Sequence, residues 1–180
     1  IGWDHAPFEV PDAVYADWHA VSSRGAAASA AWDTRLSESR TQGAFNAAQD
    51  GSDRAALTDA MAAYKAKLIA DKPKVATRKS SQMALEIVNG AIGSMVGGSA
   101  DLTGSNLTRT SEMTPVSKDD YSGNYIYYGV REHGMAAAMN GLQLHGGLRA
   151  YGGTFLAFAD YCRGSIRLSA LMGVPVTYVM

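Results

Sequence analysis

Between Pro11 and Lys72 alanine and polar residues dominate, and apolar side chains recur only weakly at helical spacing. This predicts helices over residues 12–22, 26–39 and 53–70, with Asp12 and Asp53 placed as N-terminal caps. The interval 43–52, loaded with Gly, Asn, Gln and Asp, reads as a loop. Pro73 marks a boundary. Beyond it Thr77 or Ser80 can cap a helix whose apolar positions Met83, Ile87 and Ala91, flanked by Ala84 and Val88, keep the helical period. After Gly93 the pattern alternates: strand 94–98, a polar loop through 123, strand 125–128, helix 131–145, strand 148–151, helix 155–172 and strand 174–180. Helix and strand in alternation, joined by short connections, predict an α/β fold. Its parallel sheet is covered by helices on both faces and preceded by a mostly helical segment. The expected domains are a helical tail and linker over 1–72 and an α/β domain over 73–180.

Bulk properties narrow the function classes. A chain of 180 residues buries one sizeable core. It is 47% hydrophobic and 18% charged with a formal net charge of -1, so it offers no basic field to nucleic acid or to an anionic membrane. The longest uncharged stretch, 134–148, is too short to span a bilayer and contains Asn140, Gln143 and His145. Cys162 is the only cysteine, which removes an internal disulfide or a cysteine-based metal cluster and makes a reducing, cytoplasmic setting the default. The four histidines show no metal-ligand spacing, and no Gly-x-Ser-x-Gly elbow occurs.

Glu132 stands out among the candidate chemical groups. A strand-like run, 125–128, passes through Gly129 into a helix whose first turn carries this one carboxylate, and its neighbours three, four and seven positions on are Met135, Ala136 and Met139. The helix dipole favours its ionised form and apolar surroundings the protonated one, a balance suited to exchanging a proton with a ligand nitrogen. A glutamate that merely satisfies the helix dipole fits the same spacing. Phe155, Phe158 and Tyr161 recur at three-residue intervals and fan over one side of a helix start, as a wall for a flat heterocycle or as ordinary core packing. The loop Gly97-Gly-Ser-Ala-Asp-Leu-Thr-Gly-Ser-Asn106 is rich in hydroxyls and backbone donors that suit an anion, although it matches neither a P-loop nor a dinucleotide fingerprint. Arg78 and Lys79 can add positive charge to the same anion, and a solvated helix start looks no different.

Five blocks in order along the chain carry a resemblance to the transketolase family. They are Gly2-Trp-Asp-His-Ala-Pro-Phe-Glu-Val-Pro11, Thr77-Arg-Lys-Ser-Ser-Gln82, the Gly97 to Asn106 loop, Tyr128-Gly-Val-Arg-Glu-His-Gly-Met135 and Thr154-Phe-Leu-Ala-Phe-Ala-Asp-Tyr161. The resemblance implies a thiamine-diphosphate enzyme of the pentose phosphate pathway that moves a two-carbon ketol unit between sugar phosphates, acting as a cytoplasmic homodimer. In that family the glutamate matching Glu132 meets the N1′ nitrogen of the cofactor's aminopyrimidine, and proton sharing there activates the thiazolium carbon. By the same match Phe155, Phe158 and Tyr161 line the pyrimidine pocket, and Arg78 with Ser105 holds the sugar's phosphate. Asp101 and Leu102 fall near the cofactor and the subunit interface.

The resemblance also implies what lies elsewhere. Residues before Pro73 look like the tail of the family's diphosphate-binding domain, and the rest like most of its pyrimidine-binding domain, incomplete at the C-terminus. Mg2+ or Ca2+ belongs to the missing first domain, since no Gly-Asp-Gly with a following Asn is present. Family sites form between the first domain of one subunit and the second of its partner, so the isolated chain is expected to be inactive. Its shortened sheet exposes an edge, and self-association is expected. Ketol transfer by the purified chain, or a sharp melting transition of a monomer independent of concentration, speaks against these expectations. Two alternatives remain at this level: a related enzyme such as dihydroxyacetone synthase, deoxyxylulose-phosphate synthase or phosphoketolase, and a non-catalytic α/β association module.

Overall fold

A computed structural model of the chain describes residues 2–180. Two compact units are distinguished, one running to Gly43 and one over Ala44–Met180. The first is dominated by α1 (Asp12–Ser37). Sequence patterning breaks this element near Gly25, yet it is one helix, because the alanines around the glycine outweigh a cost of about 1 kcal/mol. Asp12 lies in its first turn, and the cap position belongs to Pro11.

α2 (Gln42–Asp50), most of which belongs to the second unit, forms where a loop is predicted. Ala44, Ala47 and Ala48 sustain this helix, and Gly51, at φ 83°, ends it in the left-handed region that glycine tolerates. A 3-10 turn, Ser52–Arg54, precedes α3 (Leu57–Asp71). Asp53 caps neither element. Its carboxylate accepts from the Ser94 hydroxyl and pairs with Arg149 at 3.0 Å, pinning this turn to the sheet.

α4 (Thr77–Ala91), β1 (Met95–Ser99), a four-residue α5 (Thr103–Asn106) and β2 (Tyr125–Tyr127) follow. The chain continues through α6 (Glu132–His145), β3 (Arg149–Gly153), α7 (Ala159–Met172) and β4 (Thr177–Val179). The four strands are all parallel, in the order β2-β1-β3-β4.

Both sheet faces are covered. On one, Leu85 of α4 packs with Met113, Tyr125 and Tyr151, and on the other Met135 and Met139 of α6 pack with Ala100 and Ala150. Glycines make room for these layers. A Cβ on Gly97 would stand 2.3 Å from the Tyr151 ring, and one on Gly152 would stand 2.5 Å from the Met139 sulfur. α6 and α7 are joined by a polar seam in which Asn140 donates to the Ser165 carbonyl at 3.0 Å and accepts from the Ser169 hydroxyl at 2.6 Å. No described helix is long and apolar enough to cross a membrane.

Candidate functional site

β2 and β3 flank β1 on opposite sides, so the chain leaves β1 in one direction and returns in the other. In parallel sheets the carboxyl edge at such a reversal is where ligands bind. Here that edge is tied together tightly. The Ser99 hydroxyl donates to the Gly153 carbonyl at 2.9 Å and accepts from the Leu102 amide at 3.1 Å, while the Ala100 amide donates to the same carbonyl at 3.0 Å. The Asn106 amide donates to the carbonyls of Thr154 at 2.6 Å and Val179 at 3.3 Å, so α5 is laid over the ends of β3 and β4.

Glu132 is the first residue of α6, set there by a tight turn. Gly129 has φ 69°, its carbonyl accepts from the Arg131 amide at 2.8 Å, and the Arg131 guanidinium donates to the Tyr128 carbonyl at 2.9 Å. Only 9% of Glu132 is exposed, and among the described residues it makes no ion pair. Burial pushes the neighbouring Tyr128 hydroxyl up to about 12. The Cys162 thiol is also raised, chiefly by burial, with the Glu132 charge as a smaller cause. Glu132 therefore lies within electrostatic reach of the first turn of α7.

That turn carries the aromatic wall. Phe155 precedes a 3-10 turn, Leu156–Phe158, and Tyr161 lies at the start of α7. The Phe155 and Phe158 rings are 5.8 Å apart and those of Phe158 and Tyr161 are 5.9 Å apart, a continuous ledge. Phe155 is 43% and Tyr161 67% exposed, so the rings are not core filling on this chain. They offer an open apolar surface leading into α7, the helix on which α6 packs.

A cavity of about 460 Å3 adjoins the ledge, and Arg78, Ser81, Ser105, Asn106 and Phe155 are among its lining residues. Arg78 reaches the Ser105 carbonyl at 3.5 Å, which unites the two residues singled out for phosphate. Asp101 and Leu102 stand apart from this cavity. Asp101 is exposed with φ 61°, a conformation that Asp tolerates better than most residues, and Leu102 is half-buried at the cap of α5. Sequence reasoning quoted Asn106 and Thr154 without giving either a part. Asn106 proves to be the clasp of the cavity floor. Thr154 is fully buried at the end of β3, and its hydroxyl has no partner among the described residues. Thr154 directly follows β3 and Asn106 ends α5, and those positions were the only signal. The described residues hold no group of three or more His, Cys, Asp or Glu placed to take a metal ion.

Comparison with known proteins agrees with this fold. A family model described as transketolase, pyrimidine binding domain, matches residues 73–180, and one described as transketolase, thiamine diphosphate binding domain, matches residues 1–59. The transketolase of Cereibacter sphaeroides is 64% identical over 180 residues, covering 100% of this chain and 27% of the relative. That of Sinorhizobium medicae is 52% identical, covering 100% and 26%. Among solved structures, a transketolase from Pichia stipitis in complex with sedoheptulose-7-phosphate has a TM-score of 0.81 at 32% identity, covering 97% of this chain and 27% of its own. The transketolase from Leishmania mexicana has a TM-score of 0.75 at 36% identity, covering 97% and 26%. The chain thus spans about a quarter of the length of the relatives it matches. The pyrimidine-domain match takes in more than half of its residues, and the chain belongs to the transketolase family.

Proposed function

We propose that this chain forms the pyrimidine-binding half of a thiamine-diphosphate site, within a longer enzyme that transfers a two-carbon ketol unit between sugar phosphates. The observation that carries the proposal is the buried Glu132 carboxylate at the start of α6, a helix joined to α7, whose start bears the open ledge of Phe155, Phe158 and Tyr161. A flat ring with a basic nitrogen fits that pair of features: the ledge takes its face and the carboxylate its nitrogen. When bound, thiamine diphosphate supplies the nucleophilic carbon and the electron sink. Glu132 holds or shares a proton at the ring nitrogen N1′, and the apolar side chains of Met135 and Met139 along the same helix keep water away from it. The aromatic ledge fixes the ring plane.

Arg78 and Ser105 both line the cavity and bind the sugar's phosphate, the guanidinium being suited to paired contacts with phosphate oxygens. Asp101 and Leu102, at the same carboxyl edge, border the cofactor and the subunit interface. Residues 1–72 serve as the tail and linker of the diphosphate-binding domain, and 73–180 as the pyrimidine-binding domain. Mg2+ or Ca2+ is held by the rest of the longer protein, which works as a cytoplasmic homodimer of the pentose phosphate pathway.

Grafting the chain into the Cereibacter sphaeroides transketolase in place of its matching 180 residues tests the proposal. Ketol transfer within about tenfold of the parent is expected. A folded, cofactor-loaded chimera without transfer overturns it. In that chimera Arg78→Ala is expected to raise KM for sugar phosphates by about 10- to 100-fold, the loss of a charged hydrogen bond, while cofactor affinity stays within about twofold. Equal damage to both removes the phosphate role.

A further inference from the structure

Arg78, Gln82, Glu86 and Asn89 lie three or four residues apart on α4 and so share one face. Every one of them bonds α5 or the loop that leaves it. Arg78 donates to the Ser105 carbonyl at 3.5 Å, Gln82 to the Arg109 carbonyl at 3.3 Å and Asn89 to the Thr110 hydroxyl at 3.1 Å. Glu86 makes the densest contact: its two carboxylate oxygens accept from the Ser111 amide at 3.0 and 3.1 Å, and one also accepts from the Ser111 hydroxyl at 2.9 Å.

The loop does not hold this shape by itself. Leu107, with φ 54°, sits in the left-handed region that a leucine rarely adopts, and such residues persist where their surroundings fix them. Fixing comes from the sheet side too. The Tyr125 hydroxyl bonds the hydroxyls of Thr103 at 2.8 Å and Thr108 at 2.7 Å, and the Tyr151 hydroxyl donates to the Thr108 carbonyl at 2.6 Å. Those bonds lock the loop to the sheet, and the Tyr151 hydroxyl also accepts from Asn89 of α4 at 3.1 Å. The helix stripe adds the direct links between α4, which carries Arg78, and the chain from Ser105 to Ser111.

We propose that Glu86, with Gln82 and Asn89 to either side, is a positioning residue that holds the 105–111 loop at the spacing from Arg78 that a sugar phosphate requires. The inference rests on the reading of Arg78 and Ser105 as the phosphate clamp. Glu86 itself does not line the cavity beside them. Its charge matters because a carboxylate binds an amide and a hydroxyl more strongly than a neutral acceptor does. Without it the loop drifts, and phosphate affinity falls while the chemistry at Glu132 is untouched.

The experiment compares two acceptors in the chimera at saturating thiamine diphosphate: an aldose phosphate and a short aldehyde without phosphate. Glu86→Ala is expected to raise KM for the phosphorylated acceptor by about 5- to 20-fold, with kcat and the KM of the unphosphorylated aldehyde within about twofold. Glu86→Gln keeps one carbonyl acceptor for the Ser111 amide, and about a two- to fivefold rise is expected. Equal rises for both acceptors, or none for either, overturn the proposal. If Glu86→Ala does not fold, Glu86→Gln and Gln82→Ala carry the same comparison. Arg78→Ala separates the two levels: if it leaves phosphate KM unchanged, the clamp itself is wrong, whereas if it raises KM and the Glu86 variants do not, only the positioning role falls.

Discussion

Glu132→Gln in the chimera is expected to lower kcat by about 10²- to 10⁴-fold, the range contributed by a positioned proton-transfer group. The substitution keeps the shape of the side chain and removes only the exchangeable carboxyl proton. Little else should change. Glu132 forms no ion pair among the described residues, so no buried partner is orphaned. The helix loses one favourable charge at its N-terminus, which is worth about 0.3–1 kcal/mol. The aromatic ledge is held by the 3-10 turn and α7, so ring stacking should survive and cofactor affinity should fall far less than kcat. A melting temperature within a few degrees of the parent, with turnover collapsed, is the expected pair of results. Turnover within threefold of the parent would return Glu132 to the part of a helix-dipole residue.

Much of the candidate site was legible because its residues lie at changes of pattern. The switch from strand to helix around Gly129 placed Glu132 at a helix start, and α6 indeed begins at that residue. Phe155, Phe158 and Tyr161 showed helical spacing, and although their backbone is a 3-10 turn running into α7, the rings still form one wall. The errors fell where local composition misleads. Residues 43–52 look like a loop, but alanine propensity makes most of them α2. Asp53 looks like a cap, yet its carboxylate is taken up by Ser94 and Arg149, the latter 96 residues away, and no local pattern predicts such a partner. The α4 stripe was hidden for a related reason. Nothing in the sequence pattern singles out Gln82, Glu86 and Asn89, and only the folded loop shows that they bond it.

Gly97→Ala is expected to be the most destabilising small change in the sheet, by about 3–5 kcal/mol, combining overpacking with lost buried hydrogen bonds. The added methyl would lie 2.3 Å from Cζ, 2.4 Å from the hydroxyl oxygen and 2.7 Å from Cε1 of Tyr151, well inside contact distance. The ring cannot step aside cheaply. Tyr151 is 1% exposed, donates to the Thr108 carbonyl at 2.6 Å and accepts from Asn89 at 3.1 Å, and burial raises its hydroxyl pKa. Displacing it breaks bonds on both the loop and α4. Gly152→Ala is the control, because its methyl meets the sulfurs of Met139 at 2.5 Å and Met135 at 2.9 Å. Thioether chains rotate into new positions with little loss, so about 1–2 kcal/mol is expected there. Equilibrium urea unfolding of the chain and both variants measures the difference. If Gly97→Ala costs no more than Gly152→Ala, the Tyr151 ring is not the rigid pillar between β1, β3 and the loop after α5 that its bonds describe.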